Sequence, residues 1–388
     1  MTFRRPAVSL LAGLALSCGG SGSSPTSSDS SGGTGSTTCT TAGQCTFVRD
    51  VLQSYYYWYK DLPNPDPGSF SSPEAYLEAV RYRTLDSSFS YITSKASSDA
   101  FYSDSQFIGF GLSYKQTGDA ELRLVQTFPG SPAADAGMDR GDTLLSVNGR
   151  AVADLLRTGD IGTVFGAEQV GVTADIAWRD PQGRQRTATL AKRLVTIPTV
   201  SQTAVLDAGR SRVAYIHFRN FVQPSVEALN AAFTEVRDAG ATELVLDLRY
   251  NGGGLVSVAQ HLAGLIGGPP LVGQVFVQFT HNDKQSSRDT SYKLEAKPQA
   301  LGVTRLVVIA TRGSASASEA IVNGLRPYMD VKVVGDSTYG KPVGQYGFDF
   351  CEKVLYPVAF LVTNSLGQAD YFGGIPADCA AADDVDHP

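Results

Sequence analysis

The sequence TRGSASASEAIVNGLRPYMDVKVVGDSTYGKPVGQ occupies residues 311–345 and decides how the rest of the chain is interpreted. The apolar run Leu306–Ala310 comes just before it and is short and β-branched enough for a buried strand. After a turn of small residues, Glu319–Leu325 has the pattern of a helix, and Val331–Val334 predicts a second strand. The stretch therefore predicts a strand–helix–strand unit of an α/β protein, with serines where the first strand meets the helix.

Three serines, Ser314, Ser316 and Ser318, lie at this strand-to-helix turn. Unpaired N–H groups and the positive dipole end of a helix N-terminus favour an oxyanion that forms beside a serine. A serine nucleophile also needs a base, and histidine is scarce, at only four positions: His217, His261, His281 and His387. Lys341, on the glycine-flanked loop after the second strand, can act as a base if apolar surroundings keep its amine neutral.

A purely structural interpretation of the same serines is available. Ser316 and Glu319 match a capping box, in which the serine caps the helix and the glutamate bonds back to the serine N–H. The wider pattern favours chemistry, because G-S-A-S-A-S-E followed by Y-G-K-P-V-G-Q resembles the signature of the carboxyl-terminal processing proteases. These form the serine/lysine peptidase family S41, which includes tail-specific protease. The resemblance implies that Ser316 is the nucleophile, that Lys341, 25 positions later, is its base, and that Gln345 orients the amine.

A second motif, D-L-R-Y-N-G-G-G at residues 247–254, resembles the family pattern D-L-R-x-N-P-G-G. In the family a glycine of this loop supplies one N–H of the oxyanion hole, so the resemblance implies that Gly253 and Ala317 share that role. Gly252 stands where the family has proline. A closely packed glycine turn is the structural alternative, while a phosphate loop is disfavoured because G-x-G-x-x-G is absent. His261 and His281, with Asp247 as a partner, are the alternative bases of a conventional triad and are interpreted as structural.

Residues 105–195 change to a β pattern. The small-residue segment 129–137 and the motif G-D-T-L-L-S-V-N-G at 141–149 resemble a PDZ domain of the bacterial protease type. Such a domain adds the C-terminus of a peptide as an extra strand and holds its carboxylate on loop N–H groups. The resemblance implies that this loop is formed by Ile108, Gly109, Phe110 and Gly111. The segment 165–169 departs from the family pattern, which leaves the specificity of the groove open, and each glycine alone also fits a tight turn.

The N-terminal residues predict export. Residues 1–18 combine Arg4–Arg5 with a short apolar run, as in a signal peptide. The end of that run resembles a lipobox, which implies an acylated Cys18 and a membrane-anchored lipoprotein, with the outer membrane as the expected destination. Ordinary secretion is the alternative. Residues 19–38 are almost wholly Ser, Gly and Thr and predict a flexible tether, and residues 39–104 predict a small helical region.

Five cysteines occur in the chain, and four remain if Cys18 carries lipid. Export permits disulfides. Of the three possible connectivities we expect the local one, Cys39–Cys45 and Cys351–Cys379. The chain end after Cys379 is acidic and is predicted to be loose.

Composition narrows the classes of function. The 388 residues carry a net charge of −6, and no Lys/Arg run is longer than two residues, so nucleic-acid binding is disfavoured. Neither C-x-x-C nor H-E-x-x-H is present and histidines are not clustered, so no metal or cofactor is predicted. A hydrophobic content of 42% is enough for more than one buried core.

Together these patterns predict a multidomain α/β (α+β) protein. The resemblance implies a ClpP/crotonase-like protease core at residues 196–388, an inserted PDZ-like β domain at 105–195 and a helical region at 39–104. It further implies an extracytoplasmic serine endopeptidase of the cell envelope. Its substrates would be proteins or peptides with accessible C-termini, cut by a Ser/Lys dyad. Two alternatives stay open: a catalytically silent PDZ scaffold, and a serine hydrolase that acts on small esters.

Overall fold

The computed structural model describes residues 38–209 and 211–385. The predicted signal peptide with Cys18 and nearly all of the predicted tether lie outside the described residues. Two compact units are present. Of the described residues, one unit contains 106–198 and 383–385, and the other contains 38–105 and 199–382. In the described part of the chain no helix is both long and apolar enough to cross a membrane.

The N-terminal region contains three α-helices and one strand: α1 (Thr41–Tyr55), α2 (Pro73–Val80), β1 (Tyr91–Ser94) and α3 (Lys95–Asp104). Side-chain caps fix the helix starts, since Thr40 accepts from the N–H of Gly43 and Ser72 accepts from that of Ala75. The apolar face of α1 is buried and includes Cys45. The aromatic residues Tyr55–Tyr59 at the end of α1 and just after it pack in this core, where Tyr56 is fully buried.

The unit of residues 106–198 is a small β structure. Its elements are β2 (Gln106–Gly109), β3 (Leu112–Gly118), β4 (Glu121–Thr127), α4 (Pro132–Asp135), β5 (Thr143–Val147), β6 (Arg150–Ala151), α5 (Val152–Thr158), β7 (Thr173–Arg179), β8 (Gln185–Ala191) and β9 (Arg193–Thr196). The main sheet has the order β3-β4-β5-β7-β8, so β3 is an edge strand. Residues 383–385 belong to this unit, and Asp383 is bound, contrary to the prediction of a loose acidic segment. Asp383 pairs with Lys115 at 2.7 Å and with Arg140 at 3.0 Å.

The larger unit is built on a mainly parallel sheet. Its elements are β10 (Val200–Ala208), β11 (Ser211–Phe218), α6 (Ser225–Asp238), β12 (Glu243–Asp247), α7 (Val256–Gly267), β13 (Val275–His281), β14 (Thr290–Lys293), β15 (Arg305–Ala310), α8 (Ala317–Leu325), β16 (Asp330–Gly335), β17 (Val343–Gln345), β18 (Phe348–Phe350), β19 (Lys353–Tyr356), β20 (Val358–Thr363) and β21 (Cys379–Ala380). The order β10-β11-β12-β15-β16-β21 is parallel from β11 onward. The predicted α/β core is confirmed.

Packing explains why this sheet forms. Its central strands bury one apolar face in the same core as residues of the three helices α6, α7 and α8. Leu244 and Leu246 of β12 and Val308 of β15 are at most 1% exposed. The carboxyl ends of β12 and β15 are neighbours in the sheet, so the loops that follow them meet at one edge, where α/β proteins commonly carry their sites.

Two antiparallel sheets complete the larger unit. One has the order β14-β13-β20-β17, and β17 carries Gln345. The other has the order β1-β19-β18, in which Tyr91 of the N-terminal region pairs with Tyr356. The N-terminal region is thus joined to the α/β core by strand pairing.

The predicted disulfide pairing is wrong. The structure joins Cys39 to Cys351, with their Cα atoms 5.5 Å apart, whereas Cys45 and Cys379 are free thiols. Cys45 is on the buried face of α1, and Cys379 is exposed on the short strand β21. Cys39 precedes α1, and the packing of α1 against β18 brings it to Cys351. A partner 312 positions away cannot be inferred from local spacing.

Candidate active site

Ser316 occupies the turn between β15 and α8, directly before the first residue of the helix. Its φ of +57° and ψ of −112° are unusual for a residue with a side chain, and it is 3% exposed. Strained backbone of this kind persists where the surrounding structure enforces it, and a serine on a sharp strand-to-helix turn is a known arrangement for a nucleophile. The turn places Ser316 at the positive end of the α8 dipole.

The two flanking serines have structural roles. Ser314 Oγ donates to the carbonyl of Leu248 at 2.7 Å, and Ser318 Oγ donates to the carbonyl of Asn251 at 2.8 Å. Both hydroxyls therefore fasten the turn to the loop that follows β12. Of the three candidate serines, Ser316 remains the candidate nucleophile.

Glu319 joins the Ser316 turn to the Lys341 loop. Its carboxylate is 0% exposed. Oε2 accepts from the backbone N–H groups of Ser316 and Lys341, both at 2.8 Å, which makes these two nitrogens close neighbours. Oε1 accepts from the N–H of Gly340 at 2.7 Å and from the Thr338 hydroxyl at 2.5 Å. Complete burial raises the pKa of Glu319, and the four donors act in the opposite direction because they stabilise the carboxylate.

The capping box expected from the sequence is therefore present, but capping is only half of what Glu319 does. The bonds from Glu319 to the loop around Lys341 were missed, because the spacing of Ser316 and Glu319 is fully explained by a helix cap. The signal that could have revealed these bonds is the position of an acid within a mainly apolar helix, since all nine residues of α8 are buried.

Lys341 lies on the loop between β16 and β17 and is 5% exposed. Its Nζ donates to Gln345 Oε1 at 2.6 Å and lies 5.8 Å from the centre of the Phe89 ring. The amide of Gln345, which is 0% exposed, donates to the carbonyls of Phe89 at 2.6 Å and Tyr356 at 2.8 Å. Because these two acceptors fix the amide nitrogen, the amide oxygen must face the lysine.

The predicted oxyanion donors lie together, but one of them is occupied. The N–H of Ala317 is the first of α8 and has no acceptor among the described residues. A Cβ added to Gly253, which has φ +100°, would lie 2.8 Å from that nitrogen and 2.7 Å from the carbonyl oxygen of Ala315. However, the N–H of Gly253 donates to Asn251 Oδ1 at 2.9 Å. The N–H of Gly253 is therefore engaged within its own loop by the buried Asn251 side chain, and its oxyanion role stays a prediction.

The histidines considered as alternative bases have other partners. His261 Nε2 is 2.8 Å from Asn230 Oδ1, and burial lowers the pKa of His261 to about 4. His281 Nδ1 is 2.9 Å from Asp289 Oδ1. Asp247 instead accepts from the Arg249 side chain at 2.7 Å and from the hydroxyl of Tyr215, on β11, at 2.8 Å. Neither histidine forms the predicted alternative pair with Asp247.

The predicted carboxylate loop of the β unit is divided between a strand and a turn. Ile108 and Gly109 belong to β2 and pair with β9, whereas Phe110 and Gly111 form the turn before β3. Gly111 has φ +79°, and an added Cβ would lie 2.0 Å from Ser131 Cβ, so no side chain fits. The open edge of β3 is the place where a peptide strand can add to this sheet.

Fold and site together define a class of protein: an α/β core with a serine and a buried lysine on neighbouring loops, and an inserted β domain. Matches to family models narrow this class. The model described as Peptidase family S41 matches residues 212–378, the Peptidase S41 N-terminal domain matches 43–91, and a PDZ domain matches 129–163. The two S41 models together cover more than half of the chain, and the chain belongs to peptidase family S41.

Curated relatives agree with this assignment. The chain is 27% identical over 257 residues to the "C-terminal processing peptidase, chloroplastic" of Tetradesmus obliquus, a match that covers 63% of this chain and 53% of the relative. It is 26% identical over 234 residues to the "Carboxyl-terminal-processing protease" of Synechocystis sp., which covers 60% and 52%. The chain thus spans about half the length of these two relatives.

Solved structures show the same fold. A crystal structure from Bacteroides fragilis assigned to the S41 proteases superposes with a TM-score of 0.67 at 23% identity, covering 87% of this chain and 90% of that one. The photosystem II D1 C-terminal processing protease superposes with a TM-score of 0.56 at 22% identity, covering 89% and 94%. At these identities the likeness is one of fold.

Proposed function

We propose that the protein is a serine endopeptidase of the carboxyl-terminal processing type, with Ser316 as nucleophile, Lys341 as base and Gln345 as the group that orients the base. The observation that carries the proposal is the Glu319 carboxylate, which accepts from the backbone N–H groups of both Ser316 and Lys341. The turn that carries the nucleophile and the loop that carries the base are thereby bound to the same carboxylate oxygen. The names of the curated relatives support the same reaction.

The reaction follows from these positions. Ser316 Oγ attacks the carbonyl carbon of the scissile bond while the neutral amine of Lys341 takes its proton. To act as the base, the amine of Lys341, which is 5% exposed, must be neutral. The ammonium then protonates the leaving amine, and a water activated by Lys341 hydrolyses the acyl-enzyme. The Ala317 N–H stabilises the oxyanion. The N–H of Gly253 becomes a second donor when the Asn251 side chain releases it.

Substrate selection is assigned to the PDZ domain. A substrate C-terminus would add as a strand to the open edge of β3, with its carboxylate at the Phe110–Gly111 turn. Export, and anchoring to the outer membrane through a lipid on Cys18, would place this activity outside the cytoplasm at the cell envelope. These last points rest on the amino-acid sequence alone.

Hydrolysis of an unfolded protein and of a small ester, compared across variants, tests the proposal. Ser316→Ala and Lys341→Ala should each lower kcat by roughly 10⁴-fold, and the double variant should lose little more because the two groups act as a unit. Gln345→Ala should lose less. Lys332→Ala, which changes an exposed lysine of β16, is the matched control.

Each alternative gives a different result. A silent scaffold would bind C-terminal peptides without any turnover that depends on Ser316. An esterase would cleave the ester and leave the protein intact. Activity close to wild type in Lys341→Ala would contradict the dyad.

A further inference from the structure

A second buried carboxylate lies on the N-terminal side of the site. Asp86, in the turn between α2 and β1, is 0% exposed. Its Oδ1 accepts from the N–H groups of Phe89 at 2.8 Å and Ser90 at 2.9 Å. Its Oδ2 accepts from the hydroxyls of Tyr56 at 2.8 Å and Ser90 at 2.5 Å. Among the described residues no cation pairs with Asp86, so these four donors compensate for its burial.

The turn that Asp86 holds is in direct contact with the proposed base. The carbonyl of Phe89 accepts from Gln345 Nε2 at 2.6 Å, and the ring of the same residue lies 5.8 Å from Lys341 Nζ. The Ser90 hydroxyl accepts from the N–H of Val358 at 2.9 Å, and Val358 is the strand partner of Gln345. The 86–90 turn therefore touches both the group that orients Lys341 and the lysine itself.

We propose that Asp86 is a positioning residue for the dyad, acting through Phe89 on Gln345 and Lys341. The inference rests on the proposed function and deepens it. The carbonyl of Phe89 fixes which end of the Gln345 amide faces the lysine, and its ring shields the amine from water. The N-terminal region is thus part of the active site, although none of its side chains takes part in the chemistry.

A positioning role and a purely structural role make different predictions. Loss of a structural contact lowers thermal stability and leaves the kinetics of the folded molecules unchanged. Loss of positioning lowers kcat at nearly constant KM, because the substrate still binds while the base is misplaced. It also moves the pH–rate profile upward, because a more hydrated amine favours its charged form. The groups that face this lysine include Gln345, the Phe89 ring and, on its backbone, the Glu319 carboxylate.

The test compares Asp86→Ala, Asp86→Asn and a control. Asparagine retains an acceptor for the two backbone N–H groups but loses the one for the two hydroxyls, so its effect should be the smaller. Asp86→Ala should lower kcat by roughly 10- to 100-fold with KM within about twofold. The control is Asp66→Ala, which removes an exposed aspartate that accepts from the N–H of Gly68 at 3.0 Å in the same region. It should keep the wild-type kcat and pH profile.

A double-mutant cycle with Gln345→Ala shows whether Asp86 acts through Gln345. In that background Asp86→Asn should have little further effect on kcat. All variants are measured below their thermal unfolding midpoints, and if Asp86→Ala does not fold, Asp86→Asn and the cycle decide the question.

Three results are decisive against these ideas and are distinguishable. Folded Asp86 variants with wild-type kcat and pH profile overturn the positioning role while activity still depends on Ser316, and effects that multiply with that of Gln345→Ala overturn its action through Gln345. Turnover that persists in Ser316→Ala overturns the proposed function, and the inference with it.

Discussion

Replacing Glu319 by glutamine changes one atom of the side chain but removes its ability to satisfy its neighbours. The carboxylate accepts four hydrogen bonds, three of them from backbone N–H groups that cannot reverse their role. Glutamine offers one acceptor oxygen and one NH₂ group, which would face two of these donors. Glu319→Gln therefore leaves about two buried donors unpaired.

The cost follows from that count. A buried donor without a partner costs about 1–3 kcal/mol, so the variant should lose roughly 2–6 kcal/mol of stability. This corresponds to a fall of roughly 5–20 °C in the unfolding midpoint. Activity should fall further than stability suggests, by about 100-fold or more. The reason is that the backbones of Ser316 and Lys341 both lose the oxygen that holds them together.

Thermal unfolding at neutral pH and hydrolysis of an unfolded protein measure the two effects. Glu295→Gln, an amide substitution at an exposed acid of the same unit, is the matched control and should change neither. Wild-type stability and turnover in Glu319→Gln would refute the reasoning. It would show that a neutral carboxamide satisfies the site and that the negative carboxylate is not required.

Three further predictions concern other parts of the chain. Cys351→Ser, which breaks the bond to Cys39, should lower the free energy of unfolding by roughly 2–5 kcal/mol. Reductant should lower the unfolding midpoint of the wild type but not that of the variant, and an equal response of the two would contradict the pairing. Burial, assisted by a nearby lysine, lowers the pKa of His261 to about 4. As the pH falls, the unfolded chain therefore binds a proton at this histidine before the folded chain does. The free energy of unfolding should fall between pH 6.5 and 4, by up to about 2 kcal/mol after screening. His261→Gln should flatten this loss in midpoints measured across that range, and identical curves would refute it. Cys18→Ser should move the protein from the membrane fraction to the soluble one, and a wild type that is already soluble would rule out the lipid anchor.

The amino-acid sequence determined the parts of this protein that local patterns encode. Short apolar runs predicted β15 and β16, which the structure has at Arg305–Ala310 and Asp330–Gly335. Fixed spacings singled out Ser316, Lys341 and Gln345, and family models confirm the S41 and PDZ resemblances. Strand periodicity and motif spacing are properties of neighbouring residues, so they can be recognised without a structure.

Tertiary structure alone decided which distant groups meet. The bond from Glu319 to the Lys341 loop, the contact of Phe89 with Gln345, and the disulfide between Cys39 and Cys351 each join segments remote in sequence. The engagement of the Gly253 N–H by a side chain two residues away also depends on a loop conformation that spacing does not specify. Such contacts form because buried polar groups must find partners wherever packing brings them, and no local pattern records which partner that will be.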